Sequence, residues 1–137
     1  MSLAMRRMRH ICRPGTLAFV ISDFADMDDA VEAEMRRLSV HAHLTNILVY
    51  DQMDVHIPCR GDYRVSDGER VTFLDELGSK QRQEYASAFA QRRDRIESTS
   101  RKHGMAFHAL STADDPRSVL HPHRGRPPRR RPGRVMA

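Results

Sequence analysis

One pair of neighbouring residues in this sequence combines the oxygen ligands that a hard cation prefers. Ser22 and Asp23 follow the apolar run 17–21, and Asp26 comes three residues later. Mg²⁺ binds carboxylate and hydroxyl oxygens, so Ser22 and Asp23 are candidate metal ligands. Acids that follow a strand also cap the next helix, and this alternative explains the same spacing without any ligand.

Other catalytic patterns are missing from the sequence. There is no GxGxxG or GxxxxGK[ST] stretch, so the usual dinucleotide and P-loop phosphate sites are absent. There is no GxSxG elbow either, which argues against an α/β-hydrolase. Because no nucleophile–base pair or cofactor motif is recognisable, we expect a protein that is not an enzyme.

Three short apolar runs predict the strands that position Ser22 and Asp23, over residues 17–22, 44–50 and 105–111. The first two runs are nearly continuous, which is typical of parallel strands buried on both faces. Ser22 and Asp23 then lie at the carboxyl edge of the sheet, where open α/β sheets bind their ligands.

A helix is predicted between the first two strands, which makes a right-handed strand–helix–strand unit. Asp26 is its expected N-cap, with Asp28 and Asp29 in the first turn, where the helix dipole favours acids. Its apolar residues recur at helical spacing: Met27, Val31, Met35 and Leu38.

Three further elements complete the predicted fold. Residues 63–73 predict a β-hairpin, because Asp67-Gly68 is a strong turn signal between β-prone segments. A long helix is expected from Ser79 to Gly104, and residues 3–12 predict a first helix. The fold class is therefore α/β, a partial Rossmann-like parallel sheet of about three strands with flanking helices and a β-hairpin insertion.

Charge and composition divide the 137 residues into two parts. Residues 124–137 contain six arginines and no acid, and residues 1–13 contain four arginines and no acid. The part between them holds 13 basic and 18 acidic residues. We expect one domain over residues 1–122 and a disordered Arg/Pro-rich tail over residues 123–137, which cannot bury enough apolar surface to order itself.

The number of cysteines indicates the cellular compartment. Cys12 and Cys59 are too few for a disulfide scaffold, which favours a reducing compartment. No apolar run approaches the roughly 20 residues of a membrane helix, and no apolar stretch of a secretory signal follows the N-terminal arginines. A cytoplasmic protein is the expectation.

Four ordered motifs, within roughly residues 3–120, resemble one protein family. They are RPGTLAFVISDF (13–24), YRVSDGE (63–69), AFAQRR (88–93) and STADDP (111–116). The sequence is similar to the C-terminal portion of the bacterial domain of unknown function 58 family. Its members are von Willebrand factor A-like proteins, typically encoded beside MoxR-type AAA+ ATPases.

The resemblance implies a von Willebrand A-like fold with strand order 3-2-1-4-5-6, of which this chain supplies strands four to six. Asp23 matches the aspartate that follows strand four in the metal site of such domains, and Ser22 lies beside it. The Asp-x-Ser-x-Ser loop of that site does not occur in this sequence. The resemblance thus implies a fragment or truncated reading frame with an incomplete site, no cofactor in this chain, and Mg²⁺ in a full-length parent.

The implied function is a protein-interaction module that acts with a MoxR-type ATPase and an unknown client protein in complex assembly or maturation. The alternative is a nucleic-acid-binding protein that acts through its Arg-rich termini by charge, without specific nucleic-acid recognition. Strand 17–22 would lack a neighbour on one side, so self-association through this strand is also expected.

Overall fold

The structure, a computed structural model, describes residues 1–58, 64–66, 68–69, 71–73 and 78–119. The helices are α1 (Ser2–Ile11), α2 (Asp29–Ser39), α3 (Gln52–Val55) and α4 (Ser79–Lys102), with a 3₁₀ turn at Pro116–Val119. The strands are β1 (Thr16–Ser22), β2 (Ala42–Tyr50), β3 (Arg64–Ser66), β4 (Val71–Phe73) and β5 (Ala106–Ser111). Of these elements, the sequence did not predict α3 or the 3₁₀ turn.

Strands β1, β2 and β5 form one parallel sheet in that spatial order. The register pairs Ala18 with Leu44 and Leu48 with Ala109. Strand order follows chain order, and right-handed crossovers that advance in one direction place α2 and α4 on the same face. The predicted three-stranded parallel sheet is confirmed, and the fold is a partial Rossmann-like α/β fold.

The three longer helices α1, α2 and α4 pack on one face of this sheet, which we call the covered face. Its core joins side chains from each helix to alternate residues of β1 and β2: Met5, Val31, Met35, Leu38, Phe89, Ile96, Ala18, Val20, Leu44 and Leu48. Asn46 lies among them and is fully buried. Its Nδ2 donates a hydrogen bond to Oγ of Ser100 at 2.9 Å, which ties β2 to α4.

The opposite face of the sheet, which we call the open face, has no helix of the described residues packed on it. Leu17, Phe19 and Ile21 of β1 point to this side and are 67%, 48% and 66% exposed. Their neighbours Ala18 and Val20 point to the covered face and are each 5% exposed. The prediction that β1 is buried on both faces is therefore wrong, because only one of its faces is covered.

Helix α1 is held against α2 by a cluster of charges around Glu34, whose carboxylate is almost fully buried. Nη1 of Arg37 lies 2.7 Å from Oε1, and Nε of Arg9 lies 3.3 Å from Oε2. Nε of Arg6 lies 3.8 Å from Oε1. Three guanidinium groups around one carboxylate compensate for its desolvation and leave a net positive surface on this side of the molecule.

The start of α2 differs from the prediction. Asp28, not Asp26, is the N-cap, and its Oδ1 accepts a hydrogen bond from the Val31 amide at 2.7 Å. Asp26 is exposed and lies 3.9 Å from the N-terminal amine. The loop after β1 uses two more residues than expected before the helix can begin, so the capping position moves from Asp26 to Asp28.

The end of α4 and the hairpin agree with the prediction. Gly104 has a φ of 68°, the left-handed conformation that ends a helix and that glycine adopts without strain. Strands β3 and β4 pair antiparallel, with Arg64 opposite Phe73 and Ser66 opposite Val71. Asp67 of the predicted turn lies outside the described residues, as do the tail 123–137 and the proposed domain boundary at residue 122.

Candidate functional site at the carboxyl edge and the open face

Ser22 and Asp23 lie together at the carboxyl end of β1, as predicted, and both form the turn that follows. The Phe24 amide donates to Oγ of Ser22 at 3.0 Å, and the Ala25 amide donates to Oδ1 of Asp23 at 3.1 Å. Oγ of Ser22 also donates to Oδ1 of Asp23 at 3.3 Å. The two side chains therefore satisfy backbone amides of the loop, which is a common use of serine and aspartate after a strand.

Phe24 explains why the turn needs this support. Its φ of 52° is in the left-handed region, which is uncommon for a residue other than glycine, and its side chain is fully buried. Burial of the aromatic ring in the core offsets the backbone strain. The amide contacts of Ser22 and Asp23 hold this conformation in place.

The other strand ends use polar side chains in the same way. Oδ1 of Asp51 accepts the Met53 amide at 2.6 Å and caps the short helix α3, with Asp54 completing a capping box. After β5, the Ser111 amide donates to Oδ2 of Asp114 at 3.2 Å. At all three carboxyl ends, polar side chains accept amide hydrogen bonds of the adjacent chain: Asp51 caps a helix, whereas Asp23 and Asp114 accept amides within turns.

The fit of Ser22 and Asp23 to a metal ion is incomplete in the described residues. They supply one hydroxyl and one carboxylate, and no group of three or more His, Cys, Asp or Glu side chains in the described ranges can hold a metal ion. Mg²⁺ demands near-ideal octahedral coordination, which these two side chains alone do not provide. The assignment of Ser22 and Asp23 as metal ligands stays a prediction.

A shallow groove beside Asp23 has basic walls, which the sequence did not lead us to expect. Phe24 and Ala25 line it on the loop side, and Arg92 and Arg95 line it from α4. The Arg92 guanidinium stacks over the Phe89 ring, with its central carbon 5.5 Å from the ring centroid. Guanidinium groups repel cations, so this groove is unfavourable for a metal ion.

Arg95 fastens α4 to the first turn of α2. Its Nη2 contacts Asp29, and it lies 3.3 Å from Oε2 of Glu32. The hydrogen bond to Asp29 raises the pKa of the Arg95 guanidinium above its ordinary value. This contact ties α4 to α2 on the covered face.

The open face is the most unusual surface of the described residues. Leu17, Phe19 and Ile21 form an exposed apolar row along β1, whereas Ile47, beside Ile21 on β2, is buried. Parallel sheets are normally covered on both faces, and contiguous exposed apolar patches mark interaction sites. The sequence feature that indicates this face is the order of strands and helices along the chain. The residues of β1 alone do not show which side of the strand is covered.

Comparison with protein families agrees with the fold. The sequence profile of the family described as "Protein of unknown function DUF58" matches residues 1–95, and the chain belongs to this family. The match includes three of the four motifs noted above and ends before the motif at 111–116. No curated protein and no solved structure gave a significant match. None of the helices in the described ranges is long and apolar enough to cross a bilayer.

Proposed function

We propose that this chain is a protein-interaction module of von Willebrand A-like architecture. It acts in the cytoplasm with a MoxR-type AAA+ ATPase, in the assembly or maturation of protein complexes, and it is not an enzyme. The observation that carries the proposal is the open face, whose apolar row Leu17, Phe19 and Ile21 is about half to two thirds exposed. Burial of such an apolar surface against another protein is more favourable than its exposure to water.

The family supports the choice of partner. The resemblance to the domain of unknown function 58 family implies a neighbouring MoxR-type ATPase, and ATPases of the AAA+ class act on other proteins. The strand order β1-β2-β5 is the order expected of strands four, five and six in a von Willebrand A-like sheet. On this proposal the ATPase contacts the chain through the open face.

The test is a binding titration with the purified ATPase encoded beside the gene. The full chain is immobilised, and the ATPase is added in the presence of ATP and Mg²⁺. We expect saturable binding to the wild type and to Ile11→Lys, whose substitution lies on α1 away from the open face. Phe19→Lys should weaken binding at least tenfold, because it places a charge in the middle of the apolar row.

Two results would contradict the proposal. One is that the ATPase does not bind the wild-type chain. The other is that Phe19→Lys and Ile11→Lys bind equally well, which would place the contact elsewhere. Circular dichroism of both variants is the control that they keep the wild-type fold.

A second candidate function is charge-driven binding of nucleic acid. It is favoured by the exposed arginines of α1, Arg6 and Arg7. Binding of this kind weakens steeply as salt rises. Replacing the six arginines at positions 124–134 by glutamine should remove most of the affinity for a DNA duplex at low salt, and unchanged affinity would contradict a role for the tail.

A further inference from the structure

The C-terminal ends of α1 and α2 form a surface that combines exposed aliphatic side chains with arginines, and we call this surface the basic end. Ile11, the last residue of α1, is 78% exposed, and Val40, directly after α2, is 83% exposed. The two chain segments that follow these helices lie together, because the Gly15 amide donates to the His41 carbonyl at 2.9 Å. The arginines of the basic end are Arg6, Arg7, Arg9, Arg13 and Arg37.

The arginines give the basic end a strong positive charge. Glu34 is the one carboxylate that pairs with any of them in the described ranges, and three of the five guanidinium groups share it. Arg7 and Arg13 are exposed and pair with no acid in the same ranges. A surface with this excess of guanidinium groups attracts phosphate groups, and the anionic headgroups of a bilayer supply them at high density.

The aliphatic side chains of the basic end are not used by the core of the described structure. Ile11 follows Arg7 by four residues, so both project from the same side of α1. Met5 and Met8 lie on the other side of the helix and pack against the core. An aliphatic side chain beside guanidinium groups suits the boundary between lipid headgroups and acyl chains, where apolar side chains insert and basic ones stay at the headgroups.

This combination favours a lipid surface over a nucleic acid. The phosphate backbone of a nucleic acid attracts arginine, and it has no apolar layer that Ile11 and Val40 could enter. A bilayer with anionic lipids has both the phosphates and the apolar layer. Insertion of a few apolar side chains or attraction of a few charges gives only marginal membrane binding, and stable binding combines two such contributions.

We propose that the basic end docks on the surface of a bilayer that contains anionic lipids. Ile11 and Val40 enter the headgroup region, while Arg7 and Arg13 contact lipid phosphates. The binding is peripheral and reversible. No residue of the exposed row on β1 belongs to the basic end, so the proposal does not depend on the ATPase.

Co-sedimentation of the full chain with vesicles tests the charge contribution. The wild type should bind vesicles of phosphatidylcholine mixed with anionic phosphatidylglycerol more tightly than vesicles of phosphatidylcholine alone. Arg7→Gln with Arg13→Gln should weaken binding at least tenfold, because each arginine at an anionic surface contributes about fivefold. The matched control is Arg93→Gln with Arg101→Gln, which removes the same charge from exposed positions of α4 and should bind as the wild type does. The arginines at 124–134 are present in both double variants, so their contribution cancels.

A second pair of variants tests the apolar contribution. Ile11→Gln should weaken binding to the anionic vesicles about fivefold, because it removes an aliphatic side chain from the headgroup region. It should not change the affinity for a DNA duplex, which depends on charge. Met53→Gln is the control, since Met53 is an exposed apolar residue of α3 outside the basic end. Circular dichroism of each variant checks that the fold is kept.

Three outcomes would overturn the proposal. They are a wild-type chain that does not bind the anionic vesicles, equal losses for the two double arginine variants, and equal binding of Ile11→Gln and Met53→Gln. The last outcome would mean that charge alone holds the chain, as in binding to a nucleic acid. The ATPase titration contains no lipid, so a failure of the vesicle experiments leaves the proposed function intact.

Discussion

The buried hydrogen bond between Asn46 and Ser100 allows a quantitative test of how α4 is fixed to the covered face. Both side chains are 0% exposed, and Nδ2 of Asn46 lies 2.9 Å from Oγ of Ser100. In Ser100→Ala the side-chain amide of Asn46 keeps only a weak contact, from its Nδ2 to Sδ of Met105 at 3.8 Å. An unsatisfied buried donor costs about 1–3 kcal/mol, so we expect the free energy of unfolding to fall by about 2 kcal/mol.

The double variant distinguishes this hydrogen bond from a simple packing effect. Oδ1 of Asn46 is buried without a hydrogen-bond partner among the described residues, so the wild type already carries one unsatisfied group. Replacing both partners by apolar side chains of similar size is nearly neutral. Asn46→Leu combined with Ser100→Ala should therefore recover most of the loss, with a coupling energy of about 1–2 kcal/mol.

The assay is urea unfolding followed by circular dichroism, in protein dilute enough to be monomeric. Ser98→Ala is the control, because Ser98 is exposed on the same helix and its Oγ donates only to the Arg95 carbonyl at 3.0 Å. It should change the free energy of unfolding by about 0.5 kcal/mol or less. A loss for Ser100→Ala no larger than for Ser98→Ala would refute the reasoning, as would a double variant that loses the sum of the single changes.

Three further predictions concern the cap of α2, one carboxyl group and the metal. Asp28→Ala should lower the free energy of unfolding by about 1 kcal/mol, and Asp26→Ala by less, because Asp28 alone caps the helix; urea unfolding measures both. The hydrogen bonds from Arg117 lower the pKa of Asp115, so the stability that they add is present above the ordinary pKa of Asp and is lost as the pH falls through the lowered one. In an NMR titration Asp115 should titrate below the ordinary range, and Arg117→Gln should raise its pKa only part of the way back, because the backbone amide of residue 117 still donates to Oδ1 of Asp115. Calorimetry should find no more than weak Mg²⁺ binding, and micromolar binding that Asp23→Ala removes would contradict this.

Much of the fold follows from local sequence signals. The runs at 17–22 and 44–50 are apolar and β-prone, and the structure has strands at both. The left-handed Gly104 ends α4, and the turn signal at Asp67-Gly68 lies between paired strands. These signals succeed because they depend on a few neighbouring residues.

The pattern of β1, which is typical of a strand buried on both faces, gave a wrong prediction, since burial depends on the whole topology. The run Leu17–Ile21 has the same composition whether one face or two are buried, so its pattern does not show the second layer. The strand order does contain that information: two right-handed crossovers in the same direction put α2 and α4 on one side. Applied to the predicted elements, this rule would have identified the open face.

The candidate site was predicted in its position and not in its local bonding. Ser22 and Asp23 lie at the carboxyl edge as expected, and their use in the loop depends on the left-handed Phe24, which no sequence motif indicates. The cap of α2 was placed two residues too early, because Asp26 and Asp28 are equally suitable by type. Asp28 caps the helix and Asp26 does not, because of the path that the chain takes after β1.

Hydroxyl-radical footprinting, read residue by residue by mass spectrometry, tests the open face most directly. In dilute protein, after correction for residue type, Phe19 and Ile21 should react at rates close to that of Ile11, while Val20 should be protected. With the purified ATPase added, the protection of Phe19 and Ile21 should rise, and that of Ile11 should not. If Phe19 and Ile21 are as protected as Val20 at every concentration, the face is not open and the central claim is wrong.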